Sequence, residues 1–288
     1  MSAATGAFPT GTMTTTTLAN IIPEIWGEKM NDYYRASLVT ANFFTDLSSD
    51  IVGGGDTVHV PNISAMTAHA KTTTSPVTVN SNTDDNIDLL VQTKYECSFA
   101  IEDMDGDQIK QSYGYIDRQA RNAAFEVGEV YEDAIIALFD NFSHTVGTSS
   151  AGIADSNILA ALKYLADANA PMDNRAFILS PKAIYTDLMA IDKFTLLTNT
   201  NGADPVLKGA VGMLYGVPVM VSSNIGTTDG SAQNVLVHKD AIVHANAGLK
   251  VQSNYVPQYL ATITTAFLRF GCIENRDTSG VWIKTSAV

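Results

Sequence analysis

Between Ile87 and Ile101 the chain alternates with period two for about fifteen positions. Ile87, Leu89, Val91, Tyr95, Cys97, Phe99 and Ile101 fall on one face, and Asp88, Gln92, Lys94, Glu96, Ser98 and Glu102 on the other. This alternation predicts a half-buried β-strand. Ordinary strands run to roughly 5–6 residues, whereas this one would span about 50 Å at about 3.3 Å per residue. A compact globule of this chain length is roughly 50 Å across, so the strand would cross or leave the whole body. Gln108 to Phe142 follows as a predicted helix about 45–50 Å long. Ile109, Tyr113, Ile116, Ala120, Ala123, Val127, Val130, Ala134 and Leu138 recur at three- and four-residue steps without a proline. Gly114 and Gly128 each weaken it by about 1 kcal/mol. Two consecutive elements of this length predict a flat or extended subunit that completes its core against neighbours.

The remaining segments fit an α+β chain. Met1 to Thr17 is rich in Thr, Ala and Gly. Pro23 opens a helix through Ala36, with Ile22, Ile25, Trp26, Met30 and Tyr33 on one stripe. That helix either packs on its own core or ties an adjacent subunit. Gly53-Gly54-Gly55-Asp56 is a turn before a short strand, Thr57 to Ile63, which carries Val58 and Val60 and is interrupted by Pro61. Residues 64–86 are mostly Thr, Ser, Asn, Ala and Asp, with Val77 and Val79 as the one alternation. So polar a stretch cannot bury enough surface to fold alone. Residues 53–101 therefore predict a two-stranded ribbon with a polar tip, and an isolated hairpin is marginal in water. A Gly/Ser/Thr linker over Ser143–Asp155 leads to a compact α/β region. Its parts are a helix capped by Ser156 with Ile158, Leu162 and Leu165 inward, a buried strand Ala176–Leu179, and a helix entered through Ser180-Pro181. Strands at Gly216–Val221, Asn234–Val237 and Ala241–Val243 follow, then a long alternating run Gln258–Phe270 and a closing strand Val281–Lys284. Five parts result: an N-terminal arm (1–52), the ribbon (53–101), a long helix (102–150), the α/β domain (151–247) and returning strands (248–288).

A formal net charge of −13 opposes tight binding of nucleic acid through phosphate contacts. It suits a protein that surrounds DNA without adhering to it, and equally an acidic enzyme. The first fifteen residues carry neither a basic residue nor an apolar core, so no signal peptide is expected. No stretch approaches the roughly 20 apolar residues of a membrane span. Cys97 and Cys272 are expected as reduced apolar thiols, a disulfide being the alternative.

Local motifs for chemistry are weak. Gly53-Gly54-Gly55 lacks the Lys-Ser/Thr of a phosphate loop. Asp103, Asp105 and Asp107 resemble the start of a calcium loop, but Gly114 stands where the bidentate acid belongs. The acids instead suit the start of a helix. None of His59, His69, His144, His238 and His244 has helical metal-pair spacing. No cofactor, metal or catalytic residue is expected.

The order of parts resembles the major capsid protein of tailed bacteriophages, the Hong Kong 97-type fold. Phe177-Ile178-Leu179-Ser180-Pro181, Leu214-Tyr215-Gly216-Val217-Pro218-Val219, Leu268-Arg269-Phe270-Gly271 through Arg276, and Val281-Trp282-Ile283 carry the local likeness. The resemblance covers nearly the whole chain after about residue 20. It implies an α+β capsid fold with an extended loop, a spine helix and an axial domain. It also implies self-assembly into pentamers and hexamers of an icosahedral head around double-stranded DNA, in the cytoplasm of a bacterial host. No helical scaffolding segment of the kind that opens some members is visible, so a separate scaffolding protein is expected, together with a portal. Some members crosslink through a ribbon lysine. Lys71 could hold that place, but neither the partner Asn nor the catalytic acid can be matched. The subunit-interface candidates are Trp26, Met30, Tyr33, Val58, Val60, Lys71, Val77 and Val79. Rival readings are an encapsulin-like nanocompartment shell and an α/β enzyme with a dimerisation arm.

Overall fold

The computed structural model describes residues 39–51, 55–81, 85–102, 115–191 and 212–287. In chain order its elements are β1 (Thr45–Asp46), β2 (Thr57–Asn62), β3 (Asp85–Leu90), β4 (Thr93–Glu102), α1 (Tyr115–Ile136), β5 (Thr145–Gly147), α2 (Asp155–Asp167), β6 (Arg175–Leu179), β7 (Met213–Leu214) and β8 (Val217–Val221). They continue with β9 (Thr227–Thr228), β10 (Ser231–His238), β11 (Ile242–Asn246), β12 (Lys250–Val256), β13 (Ala261–Glu274) and β14 (Gly280–Ser286).

The short apolar runs of the α/β region become strands buried on both faces, which is why they show little alternation. A seven-stranded sheet runs β5-β14-β10-β6-β8-β7, with β9 also on β10. Every residue of β10 is buried. Its pleat sends Val235 and Val237 into one apolar cluster with Ile178. Leu236 points into another with Phe177 and Leu179. Buried polar groups within the sheet are satisfied: Asn234 Oδ1 accepts from the Ser180 amide at 2.6 Å, and its Nδ2 donates to Thr285 Oγ1 at 2.8 Å. α2 covers one face through Ile158, Ala161 and Leu165.

The second sheet has five strands. β4 lies along one edge of β13, while β12 and then β11 share the other, with β1 parallel to β11. α1 packs across this sheet and reaches the underside of the first one. Ala123, Val127, Tyr131, Ile135 and Ile136 meet Ala266, Leu268 and Phe270 from β13 and Val235 and Val237 from β10.

β2 and β3 form a separate antiparallel pair, from Thr57 opposite Leu90 to Asn62 opposite Asp85. The fifteen-residue strand expected over Ile87–Ile101 is therefore two strands in two sheets. β3 stays with β2, whereas β4 leaves the ribbon and pairs with β13 from Thr93 opposite Phe270 to Glu102 opposite Ala261. The hand-over occurs at Val91–Gln92. The Val91 amide donates to the Asp56 carbonyl at 2.7 Å, and Gln92 Nε2 donates to Asp56 Oδ2 at 3.1 Å. Leu89 and Val91 are fully buried there with Ile51 and Ala245. The crossing is possible because Gly271 has no side chain. A methyl group on it would overlap the Leu90 carbonyl oxygen and lie 2.8 Å from the Leu90 carbonyl carbon.

Four other expectations need correction. The long helix ends at Ile136, not Phe142; its last turn tightens to i→i+3 bonds (Phe139 amide to Ile136 carbonyl, 2.9 Å), which turns Phe139 and Phe142 into the core. The presumed linker contains β5, paired in parallel with β14. Ala154 rather than Ser156 occupies the N-cap of α2. In the run Gln258–Phe270 the strand starts only at Ala261, and β12, unpredicted, precedes it. The first seven residues of the long helix and the acidic segment 103–107 lie outside the described residues, as does helix 23–36.

Candidate assembly surface

The ribbon β2–β3 carries the least self-sufficient part of the molecule. On one face His59 Nδ1 lies 2.6 Å from Asp88 Oδ1, both exposed. Between Asn62 and β3 no strand occurs among the described residues, and from Ile63 to Ser81 every residue but Asn80 is exposed. This tip is held by its own polar groups. His69 Nε2 meets Asn80 Oδ1 at 2.8 Å, Asn80 Nδ2 donates to the Thr67 carbonyl at 2.8 Å, and Thr72 Oγ1 donates to Ser75 Oγ at 2.9 Å. Its apolar side chains have nothing to cover them: Ile63 is 77% exposed, Met66 76%, Val77 73% and Val79 84%.

The interface candidates separate accordingly. Val77 and Val79 stand free on the tip. Lys71 folds back, its Nζ donating to the Thr72 carbonyl at 2.9 Å and to the Ser75 carbonyl. Val58 and Val60 are half-buried on β2; Val58 packs against the cluster at the root of the ribbon and so faces its own body. Trp26, Met30 and Tyr33 lie outside the described residues.

A second surface escaped the sequence reading. β12 pairs only with β13 among the described residues, and six of its seven residues are exposed. An edge strand of this length is a template for further pairing or association. Its face adds Val251 and Tyr255, and the turn after it adds Tyr259 (69% exposed) and Leu260. The available signal was apolar Tyr259 and Leu260 directly behind Pro257 in a turn, where solvated residues are the norm.

The titratable groups inside the fold serve packing. Burial, then the Asp277 charge and a hydrogen bond that the Glu274 carboxyl donates to Asp277, raise the Glu274 carboxyl to about 7. Asp277 is held below its ordinary value although burial opposes this: the Ser143 backbone amide donates to its carboxylate at 2.7 Å, and the Ser143 side chain, Glu274 and His144 add to the effect. Cys272 donates to the Ala134 carbonyl at 3.3 Å, and burial pushes its thiol up to about 11; Cys97 and Cys272 are both free thiols. Among the described residues no group of three or more His, Cys, Asp or Glu side chains is placed to hold a metal ion, and no helix is long and apolar enough to cross a membrane. The exposed ribbon and edge can bury apolar area and add strand pairing, which is the chemistry of assembly.

Comparisons with known proteins point the same way. No curated protein matches the chain. Its architecture is similar to a solved structure from Mycobacterium phage Che8, at 22% identity over 92% of this chain and 97% of that one, with a TM-score of 0.79. It is also similar to the capsid of cyanophage P-SCSP1u (11% identity, 94% and 95% covered, TM-score 0.76) and to the mature capsid of bacteriophage PhiM1 (14%, 92% and 92%, TM-score 0.72). The family model described as phage capsid protein matches residues 97–283, which include α1, β13 and every strand of the seven-stranded sheet up to the first part of β14. The chain belongs to the phage capsid protein family and is a major capsid protein, a building block of the virion shell.

Proposed function

We propose that this protein builds an icosahedral head from pentamers and hexamers, and that the ribbon tip, residues 63–81, makes the contact that joins one copy to the next. The observation that carries this reading is the tip itself: nineteen residues, Ile63 to Ser81, almost wholly exposed, with Ile63, Met66, Val77 and Val79 uncovered. Burying four such side chains is worth roughly 6–12 kcal/mol before the cost of association, at about 1.5–3 kcal/mol each. Closed symmetry then multiplies modest contacts into a cooperative shell. Residues 23–36, a helix by sequence pattern alone, are assigned to tying neighbours together through Trp26, Met30 and Tyr33. Lys71, already bonded to its own turn, contributes without a covalent crosslink.

The work of this protein is assembly rather than catalysis. Its charge of −13 lets the shell enclose double-stranded DNA without adhering to it. A separate scaffolding protein and a portal complete assembly, which takes place in the host cytoplasm before the virion is released. The experiment is deletion of residues 66–84. The two large sheets should keep their melting transition and far-ultraviolet signal, while shells and capsomers disappear from size exclusion and electron micrographs. Shells of normal form from the deleted chain would overturn the assignment of the tip.

A further inference from the structure

The five-stranded sheet has α1 on one face only. Ala266, Leu268 and Phe270 of β13 turn to α1, so the pleat turns Phe267 and Arg269 to the opposite face. Lys94 of β4 stands directly opposite Arg269, and Lys250 of β12 stands opposite Phe267 across the other edge of β13. Like charges opposed across two strands destabilise a sheet, and no ion pair offsets this: among the described residues none of the three cations is paired with a carboxylate. Arg269 Nη2 donates to the Gly55 carbonyl at 3.0 Å. A hollow of about 550 Å³ opens between the cations, lined also by Phe267 and by one acid, Glu96. From Lys94 to Lys250, two strands across and two residues along, the cations span about 12 Å.

The solvent side of α1 carries the complement. Glu126, Glu129 and Asp133 recur at three- and four-residue steps and so share one side of the helix, with Glu126 and Asp133 exposed. From Glu126 to Asp133 the stripe runs about 10 Å. Burial, then the Glu126, Asp133 and Glu132 charges, raise the Glu129 carboxyl, and no cation pairs with the stripe among the described residues. Helix and cations lie on opposite faces of one sheet, so the two surfaces cannot meet within a subunit. Two copies can bring them together. The ribbon tip does not supply the missing charge, because residues 63–81 contain no Asp or Glu.

We propose that the open face of the five-stranded sheet docks on α1 of a second copy, with Lys94, Lys250 and Arg269 pairing with Glu126, Glu129 and Asp133. The contact rests on the reading that copies of this chain assemble, and it is separate from the contact made by the tip. It is heterologous: each copy gives its sheet face to one neighbour and its helix to another, which generates rings where the rotation closes. The test is sedimentation velocity of the full-length chain at low ionic strength, with electron micrographs of what forms. K94E/K250E and E126K/D133K each change exposed side chains only, and each should weaken self-association by roughly tenfold or more, as repulsion replaces ion pairs. K94Q/K250Q should weaken it by a smaller factor, and it decides the question if K94E/K250E fails to fold. K94E/K250E/E126K/D133K should restore association, because the reversed surfaces match again. K94E/K250E/D167K/D173K has the same net charge without the reversed helix and should stay weak. The proposal is overturned if the folded variants of either surface associate like wild type, or if D167K/D173K rescues as well as E126K/D133K. In those cases wild type still assembles and the shell reading stands, whereas a wild-type chain that forms no oligomer would remove both.

Discussion

Replacing Gly271 with alanine tests the step that separates ribbon from body. At this residue β13 has β11 on one side, with Ala245 opposite Gly271, while the edge used by β4 ends one residue earlier, at Phe270. The chain from Leu90 to Val91 crosses directly over the gap. An alanine methyl would overlap the Leu90 carbonyl oxygen and sit 3.1 Å from Val91 Cα. The obstacle is backbone on both sides, so no side-chain rotation relieves it. If the crossing moves away by about 1 Å, Val91 loses much of a burial worth about 1.5–3 kcal/mol. The bond from its amide to the Asp56 carbonyl weakens as well, at about 1 kcal/mol. The expected destabilisation is about 2–4 kcal/mol, within the range for overpacked sites. For a chain of this size that lowers the melting temperature by roughly 5–15 °C. Urea unfolding of the unassembled chain measures the first quantity, and hydrogen exchange in β2 and β3 reports whether the ribbon root loosens first. G212A is the control, because a Cβ at Gly212 meets nothing within 4 Å. A G271A protein within about 0.5 kcal/mol of wild type, with unchanged ribbon exchange, would refute the claim that a bare backbone at 271 is what lets the chain change sheets.

Two further outcomes follow from charge and exposure. Glu274 has its folded-state value raised to about 7 by burial and by Asp277, so the folded protein holds the extra proton. The stability this group contributes is complete below its ordinary value and is lost as pH rises through about 7. His244 acts in the opposite sense: burial lowers its value, so its contribution is present above the ordinary histidine range and is lost as pH falls below it. E274Q should therefore abolish the decline in stability toward pH 8 while leaving the loss on the acid side, and urea midpoints across pH 5–8 will show whether it does. V77S/V79S should leave the unassembled chain within about 0.5 kcal/mol of wild type but reduce the yield of shells counted by electron microscopy; a change in monomer stability instead would mean that the tip packs on its own body.

The parts that could be read from the sequence are those where one periodicity coincides with one environment. Ala176–Leu179 and Asn234–Val237 are apolar runs because both faces of β6 and β10 are covered. The break at Val91 left no trace, because Leu89 and Val91 on one side and Cys97 and Phe99 on the other keep the same odd-numbered parity. Pattern records the face of a residue and not the strand beside it, and the change of partner is set by Gly271, about 180 positions later in the chain. Of the stripe expected in α1, Ala123 and Val127 are buried but Val130 and Ala134 only partly so, whereas Tyr131, Glu132, Ile135 and Ile136, off that stripe, are buried. A helix packed against two sheets buries more than one stripe, so a single 3.6-residue register misplaces part of it. β12 was invisible because six of its seven side chains face solvent in one subunit, and no burial in the monomer shapes its sequence. The same reason hides the proposed assembly surface more generally. Val77 and Val79 stand out because they are apolar in a polar stretch, whereas Tyr259 adjoins a long alternating run that absorbs it. In a protein whose task is to meet copies of itself, the residues that matter are those whose burial is deferred to the assembly. They are legible only where a large apolar side chain occurs without a partner in its own chain.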